Sequence, residues 1–480
     1  MDRLTALDTS FLHLEDHGDA HMHVAAVMIF DGDAPTIEAA RELVVKRLHL
    51  VPRYRQRLAE VPFGQGRPVW VDDPHFNEAY HIRHAALPRP GDEDTLKRLA
   101  GRLFSQRLDR TKPLWEIWLV EGLAGQRFAL ISKTHHALVD GVSGVDLTAV
   151  LFDAEPEPAA PPRADSPWLP RPTPAAAELL GRALLERATI PAEAARGVRA
   201  LVRTPIGAAS RAGGALQGLA ALVRASRDQA PESPFNVEIG PHRRYTFLDA
   251  DLAQFKTIKS ALGGTVNDVV LAAVAGALGR YLRAHGVETD GLVLKAMVPV
   301  SVRAEIDRGA LGNRVAAIYA PLPVGIEDPR ERFAQVAQAM DGLKESGQAV
   351  GAQVLTEIAG FAPTTILSQA ARMQSRQRFF NLVVTNVPGP QIPLYAFGCR
   401  LRALYPVVPL ADRQALGIAV MSYAGRLGFG LLADFDALPA VEEIAVALEL
   451  SIEELAKAAR GPRTARRRPA SRARPAPAAT

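Results

Sequence analysis

The 480-residue sequence has one cysteine, Cys399, which excludes a disulfide framework, a four-thiolate zinc site and any CxxC redox motif. The redox compartment stays open, and a reducing cytosol fits. No long apolar run is present either. The longest stretch without a charged residue, Phe379–Cys399, spans 21 residues. It contains Pro388, Pro390 and Pro393, which a spanning helix tolerates poorly, so no membrane crossing is expected. A secretion signal is not expected, because Asp2, Asp8 and Glu15 interrupt the start and no apolar segment follows. Acidic residues are missing from one place in particular: residues 460–480 hold seven arginines and no acid. Removing those seven from the net +4 leaves −3 for residues 1–459. The basic balance is a property of the tail, and no specific nucleic-acid partner follows from it.

Apolar residues make up 48% and charged residues 22%, enough for a large packed core in two or three domains. Residues 1–155 alternate strand-like and helix-like patterns. His23–Asp31 reads as a strand, and Ile37–Val51 as a helix ended by Pro52. Leu114–Leu123 and Phe128–His136 read as neighbouring strands around a Gly125-Gln126 turn. A second body, 236–459, offers a helix over Thr265–His285 and strands at Leu292–Val302 and Val315–Pro321. Two helical stretches follow between Arg330 and Arg376, then strands at Phe380–Asn386, Ala415–Ser422 and Leu427–Asp434, and a helix to about Ala459.

Residues 156–235 form a proline- and arginine-rich connector. Between Arg171 and Asp228 it carries nine arginines, four acids and no lysine. The segment reads first as a solvated interdomain linker. The second reading is a surface helix on anionic lipid, which ranks lower because no aromatic anchor lies within 171–228. Residues 460–480 read as a basic tail that is expected to be disordered.

The sharpest local signal is His135-His136-Ala137-Leu138-Val139-Asp140-Gly141. If the strand persists to its end, its pleat points the two imidazoles to opposite faces. That disfavours a two-histidine metal site and suits one working histidine, neutral for the most part at pH 7. Asp140 can hold the loop through an internal ion pair, and Gly141 lets a ligand approach the backbone. Thr265-Val266-Asn267-Asp268 before an apolar run reads as a capping box, with Asp268 satisfying the helix start.

HHALVDG resembles the HHxxxDG signature of CoA-dependent acyltransferases with the chloramphenicol-acetyltransferase-like fold, a signature that peptide-synthetase condensation domains share. Further segments narrow the resemblance to the bacterial wax ester synthase/diacylglycerol acyltransferase family. They are Pro113-Leu114-Trp115, Asn267-Asp268, Pro299-Val300-Ser301-Val302-Arg303 and Asn386-Val387-Pro388-Gly389-Pro390. The opening Leu7-Asp8-Thr9-Ser10-Phe11 with Met22-His23-Val24, and Ser422-Tyr423-Ala424-Gly425, are also similar. The likeness runs from about residue 4 to about residue 455.

The resemblance implies an α/β fold of two chloramphenicol-acetyltransferase-like subdomains. Each would be a mixed sheet with helices, with an active-site tunnel at their interface. His136 would be the general base in direct acyl transfer from acyl-CoA to diacylglycerol or a long-chain alcohol, with His135 and Asp140 beside it. Asn267 would stabilise the oxyanion and Gly141 would keep the channel open for the pantetheine arm. Arg303 would pair with Asp140 across the two bodies. Pro113, Trp115 and the NVPGP turn read as architecture or as tunnel wall, and sequence does not separate the two. His23, His81 and His84 lack ligand spacing and read as packing or surface residues.

No cofactor or metal is implied, since acyl-CoA is a substrate. The expected setting is the cytoplasm, with peripheral contact to membrane or lipid inclusions through the connector or the tail. Oligomeric state does not follow. The other readings are an acyltransferase of the same superfamily acting on a sugar or polyketide alcohol, and a non-catalytic lipid-inclusion protein.

Overall fold

The computed structural model describes residues 2–16, 18–138, 152–157, 168–185, 229–301, 315–345 and 378–461. Asp140, Gly141, Arg303, the second helical stretch expected before Arg376, and most of the connector and tail lie outside the described residues.

The chain opens with β1 (Asp2–Arg3), α1 (Ala6–Asp16), β2 (His23–Asp31), α2 (Ile37–Arg47), β3 (Gln56–Ala59) and β4 (Val69–Asp72). Then come α3 (Glu78–His81), β5 (Ile82–Ala86), α4 (Glu93–Phe104), β6 (Trp115–Leu123) and β7 (Arg127–His135). The second half adds β8 (Arg243–Asp251), α5 (Leu252–Leu262), α6 (Val266–Ala284), β9 (Val293–Ser301), β10 (Val315–Pro323) and α7 (Pro329–Glu345). It ends with β11 (Leu382–Pro388), β12 (Tyr395–Ala396), β13 (Cys399–Val407), β14 (Leu416–Tyr423), β15 (Arg426–Asp434) and α8 (Val441–Arg460). Helix α2 stops four residues before the expected end, because a 3₁₀ turn, Leu48–Leu50, replaces its last part, and a second, Pro52–Arg55, follows the expected end. Between β6 and β7 the turn places both Gly125 and Gln126 at positive φ, the geometry that matches hairpin twist.

Two six-stranded sheets carry the fold, with a small three-stranded sheet, β1-β4-β3, at the edge. The first runs β12-β13-β2-β7-β6-β5 and the second β10-β9-β11-β14-β15-β8. Both are mixed: β5 runs parallel to β6, and β11 parallel to β9 and β14, among otherwise antiparallel neighbours. Chain order and sheet membership part company at β12 and β13. These strands come from the last quarter of the chain, yet β13 pairs with β2 through Leu401–Phe30 to Val407–Ala25.

Side chains sort by the pleat. On β7, Phe128 and Leu130 enter one core, with Phe30 and Trp115, while Ala129 and Ile131 enter the other, with Phe247 and Leu278. Helix α6 (VNDVVLAAVAGALGRYLRA) is apolar nearly all round and buried from Asp268 to Gly279, as expected for a helix inside the core. Gly276 and Gly279 permit this. A Cβ on the first would stand 2.3 Å from Ser451 Oγ, and on the second 2.1 Å from Val324 O.

The two sheets and their helices meet along a seam of close backbone contact. A Cβ on Gly428 or Gly430 of β15 would stand 2.0 Å from Leu404 O or 1.9 Å from Pro406 O of β13. At Gly101 of α4 it would come within 3.0 Å of Arg243 O. Phe104 meets Tyr245 edge-on at 5.1 Å. Buried Arg243 bonds across the seam: its N–H donates to Ser105 Oγ (2.8 Å), and its guanidinium to the Asp19 and Gly240 carbonyls beside Asp434. Among the described residues no single helix is long and apolar enough to cross a membrane.

Candidate active site

Strand β7 supplies the histidines. Its pairing with β2 ends at His135 opposite His23, where β2 begins. His136 therefore lies in the turn that follows rather than in the strand. The pleat does not carry over, and both imidazoles meet α1 instead of opposite faces of the sheet. His136 packs on Phe11, ring centroids 4.2 Å apart, while His135 Nε2 lies 3.6 Å from Glu15 Oε2.

The two histidines differ in setting. His135 is buried, and its Nδ1 accepts the Ala137 N–H at 3.0 Å. With Nδ1 accepting, Nε2 is the ring nitrogen that carries a proton, and it faces Glu15. Burial pushes the Glu15 carboxyl up, but His135 and Arg110 outweigh it and hold it at about 2. His136 is half-buried, and its N–H donates to Met22 O at 2.8 Å. Burial lowers its pKa, against a hydrogen bond to its own backbone, and the neighbouring His135 lowers it further. The ring is therefore neutral at pH 7, ready to accept a proton.

Leu114 of the Pro113-Leu114-Trp115 segment accepts the His135 N–H at 2.9 Å. Pro113 is buried. Fully buried Trp115 donates its indole N–H to Tyr54 O at 2.8 Å and stacks on His81 at 4.6 Å. His81 and His23 are buried, and exposed His84 faces Glu121 at 3.4 Å.

On the second sheet's side, Thr265 caps α6. Its Oγ1 accepts the Asp268 N–H at 3.2 Å, and the Thr265 N–H donates to Asp268 Oδ2 at 2.7 Å. Asp268 is fully buried in this role. Asn267, one residue earlier, is half-buried, and its Oδ1 accepts from Asn386 Nδ2 at 3.4 Å. With Oδ1 so engaged, the amide NH₂ of Asn267 is the group left to donate.

Three residues were not singled out from the sequence: Asn386, Phe11 and Glu15. The first two stand inside quoted motifs. Glu15 had a detectable signal, an acid one helical turn after Phe11 and so on the same helix face.

Residues 4–270 match the wax ester synthase/diacylglycerol acyltransferase catalytic domain, and residues 311–456 match the C-terminal domain of that family. A Mycobacterium tuberculosis protein named as a diacylglycerol O-acyltransferase is 34% identical over 472 residues, 98% of each chain. A second from that organism is 35% identical over 471 residues, 95% of this chain and 99% of the relative. Among solved structures, the wax ester synthase/diacylglycerol acyltransferase of Marinobacter aquaeolei VT8 superposes with a TM-score of 0.67 at 29% identity, covering 95% of this chain and 99% of that one. The starter condensation domain of rhizomide synthetase, at 16% identity and a TM-score of 0.57, shares the fold. The chain belongs to the wax ester synthase/diacylglycerol acyltransferase family. It is an acyltransferase with two mixed sheets, the class that the histidine motif and the fold define together.

Proposed function

We propose that the protein moves a fatty acyl group from acyl-CoA to the hydroxyl of diacylglycerol or of a long-chain alcohol, with His136 as the general base. The observation that carries this reading is the half-buried His136 imidazole, packed on Phe11 in the turn after β7, in a chain that matches both family domains. His136 takes the hydroxyl proton as that oxygen attacks the thioester carbonyl. The tetrahedral intermediate collapses with loss of the CoA thiolate, which takes the proton back from the imidazolium. Base help of this kind is worth about 10² to 10⁴ in rate. The Asn267 amide is the donor for the oxyanion, a contribution of roughly 3 kcal/mol where such donors have been removed. Asp140 and Arg303 hold the frame, and Gly141 leaves room for the pantetheine arm. No metal or tightly bound cofactor takes part in this scheme.

Free-thiol release from palmitoyl-CoA, with hexadecanol and with a diacylglycerol in parallel, tests the reading. Acceptor-dependent release that collapses in His136→Ala is expected, and the faster acceptor identifies the product class. Release without an acceptor indicates a thioesterase and refutes the proposal.

Contact with a lipid surface is the partner reading that accompanies this chemistry. Its support lies in residues 168–185, where Leu169, Leu184 and Leu185 are exposed beside Arg171 and Arg182. Deleting this stretch whole would strip Leu179 from Val69 and Val71 of β4. Serine at Leu169, Leu184 and Leu185 is the cleaner variant. Flotation with anionic vesicles that these changes leave unaltered overturns the assignment of the contact.

A further inference from the structure

Helix α1 touches the histidine turn at two places. Phe11 and Glu15 are four residues apart and so share one face of the helix. Phe11 lies over the His136 ring with centroids 4.2 Å apart and planes tilted by 36°. Glu15 is buried, and each of its oxygens has separate work. Oε1 accepts the Met22 N–H at 3.1 Å. The carbonyl of that same Met22 accepts the His136 N–H at 2.8 Å. Glu15 thus holds the backbone of His136 through a strap of two hydrogen bonds. Oε2 faces His135 Nε2 at 3.6 Å, while Ala137 N–H donates to Nδ1 of the same ring at 3.0 Å.

Arg110 fixes the carboxylate itself. It donates to Glu15 Oε2 at 2.8 and 3.2 Å, to Asp16 at 2.5 Å and to Leu12 O at 2.8 Å. Taking both residues of one helix and both histidines together, we propose that Phe11 and Glu15 are positioning residues for the histidine turn. Glu15 fixes the His136 backbone and sets a carboxylate beside His135 Nε2, and Phe11 roofs the His136 ring. The inference rests on the reading of His136 as the base.

The physical reasons are separate for the two residues. An imidazole roofed by a phenyl ring loses hydration of its charged form, which lowers its pKa. Several ionisable groups stand on the elements around the turn: Glu15 and Asp16 on α1, Arg110 beside them, His21 just before β2, His23 at its start, and His135. Of these, His135 is the one whose charge acts on His136, and it also lowers the value. A fixed backbone has a different effect. It aims the ring, and a misaimed base loses rate without losing substrate affinity.

Imidazole titration by NMR on histidine-labelled protein, assigned against His136→Gln, tests the roof without any substrate. In the wild type His136 titrates below the ordinary value of about 6.5. In Phe11→Ala it moves toward that value, and the acid limb of kcat/KM moves with it. A His136 resonance that titrates at the same pH in both proteins overturns the roof.

The strap is tested by kcat and KM at pH 8, where His136 is neutral throughout. Glu15→Ala loses about tenfold or more in kcat with KM for acyl-CoA unchanged, on the scale of a displaced catalytic group. Glu15→Gln keeps an acceptor for the Met22 N–H and restores most of the loss. Equal losses in the two variants overturn the strap. If Glu15→Ala does not fold, Glu15→Gln decides alone, since a loss as large as that of His136→Ala overturns it. Absence of acyl transfer in the wild type sinks the functional reading, whereas the NMR arm still judges the roof by itself.

Discussion

Asn386 Nδ2 donates to Asn267 Oδ1 at 3.4 Å, tying the end of β11 to the first turn of α6. The bond settles which end of the Asn267 amide is free. Its NH₂ group is the donor that the proposed chemistry assigns to the oxyanion, in a helix turn that Thr265 and Asp268 hold by a capping box.

Asn386→Ala is therefore expected to lower kcat about 10- to 100-fold while leaving KM for acyl-CoA within about twofold, less than the loss from removing an oxyanion donor outright. Asn386→Asp offers only acceptors to Asn267 Oδ1, so the amide turns round and kcat falls at least as far. Steady-state thiol release measures both. An Asn386→Ala enzyme with unchanged kcat rules out this use of the bond.

Arg243 makes a second prediction, about the seam rather than the chemistry. Its guanidinium is buried against Asp434 and the Asp19 and Gly240 carbonyls, and burial lowers its pKa to about 10. Arg243→Met leaves Asp434 buried beside an apolar chain, at an expected cost of about 3 kcal/mol. Asp434→Asn in the same chain recovers part of that loss. Urea unfolding of the single and double variants provides the comparison, and equal stabilities would show that the pair contributes nothing.

Much of the fold was legible because the pleat and the helical period are local signals. The strand His23–Asp31 and the long apolar helix after Thr265 stand where the pattern placed them. Non-local pairing was not legible. Cys399–Val407 crosses to the first sheet because β2 offers an open edge, and no local pattern names a partner some 370 residues earlier. The same limit moved His136. The strand ends at His135 only because its neighbour β2 begins at His23. The motif residues of the site could be read from the sequence, whereas their partners on α1 and β11 required the folded chain.

Two glycines should respond in opposite senses to the same methyl group. At Gly430 a Cβ stands 1.9 Å from Pro406 O on the facing strand. Backbone cannot move aside there without parting β13 from β15, so Gly430→Ala is expected to cost about 3 kcal/mol or more. At Gly342, inside α7, a Cβ meets nothing within 4 Å. Gly342→Ala therefore gains the usual helix advantage of about 0.5–1 kcal/mol. Thermal unfolding that lowers Tm for both would contradict the contact assignment.

The buried histidines set the acid limit of stability. Burial, with Arg243 nearby, lowers His21 to about 4 against a bond to the Phe104 carbonyl. Burial also lowers His81 to about 4, although it donates to Trp115 O at 2.8 Å. Fully buried His23 lies well below the ordinary value for the same reason, with Lys133 adding to it. In each case the folded state holds the neutral ring, and the unfolded chain takes up the proton first as pH falls. Their contribution is fully present above about pH 6.5, the ordinary imidazole value, and is lost as pH falls toward 4. Glu15 acts in a lower window, since its folded value is about 2; its contribution begins to fade near pH 4.5. The urea midpoint should thus fall steadily between pH 7 and pH 5, above the window in which Glu15 acts. His81→Phe, which keeps an aromatic ring between Phe76 and Trp115, should flatten part of that slope. A midpoint that does not change between pH 7 and pH 5 would mean that these rings are solvated in the native state.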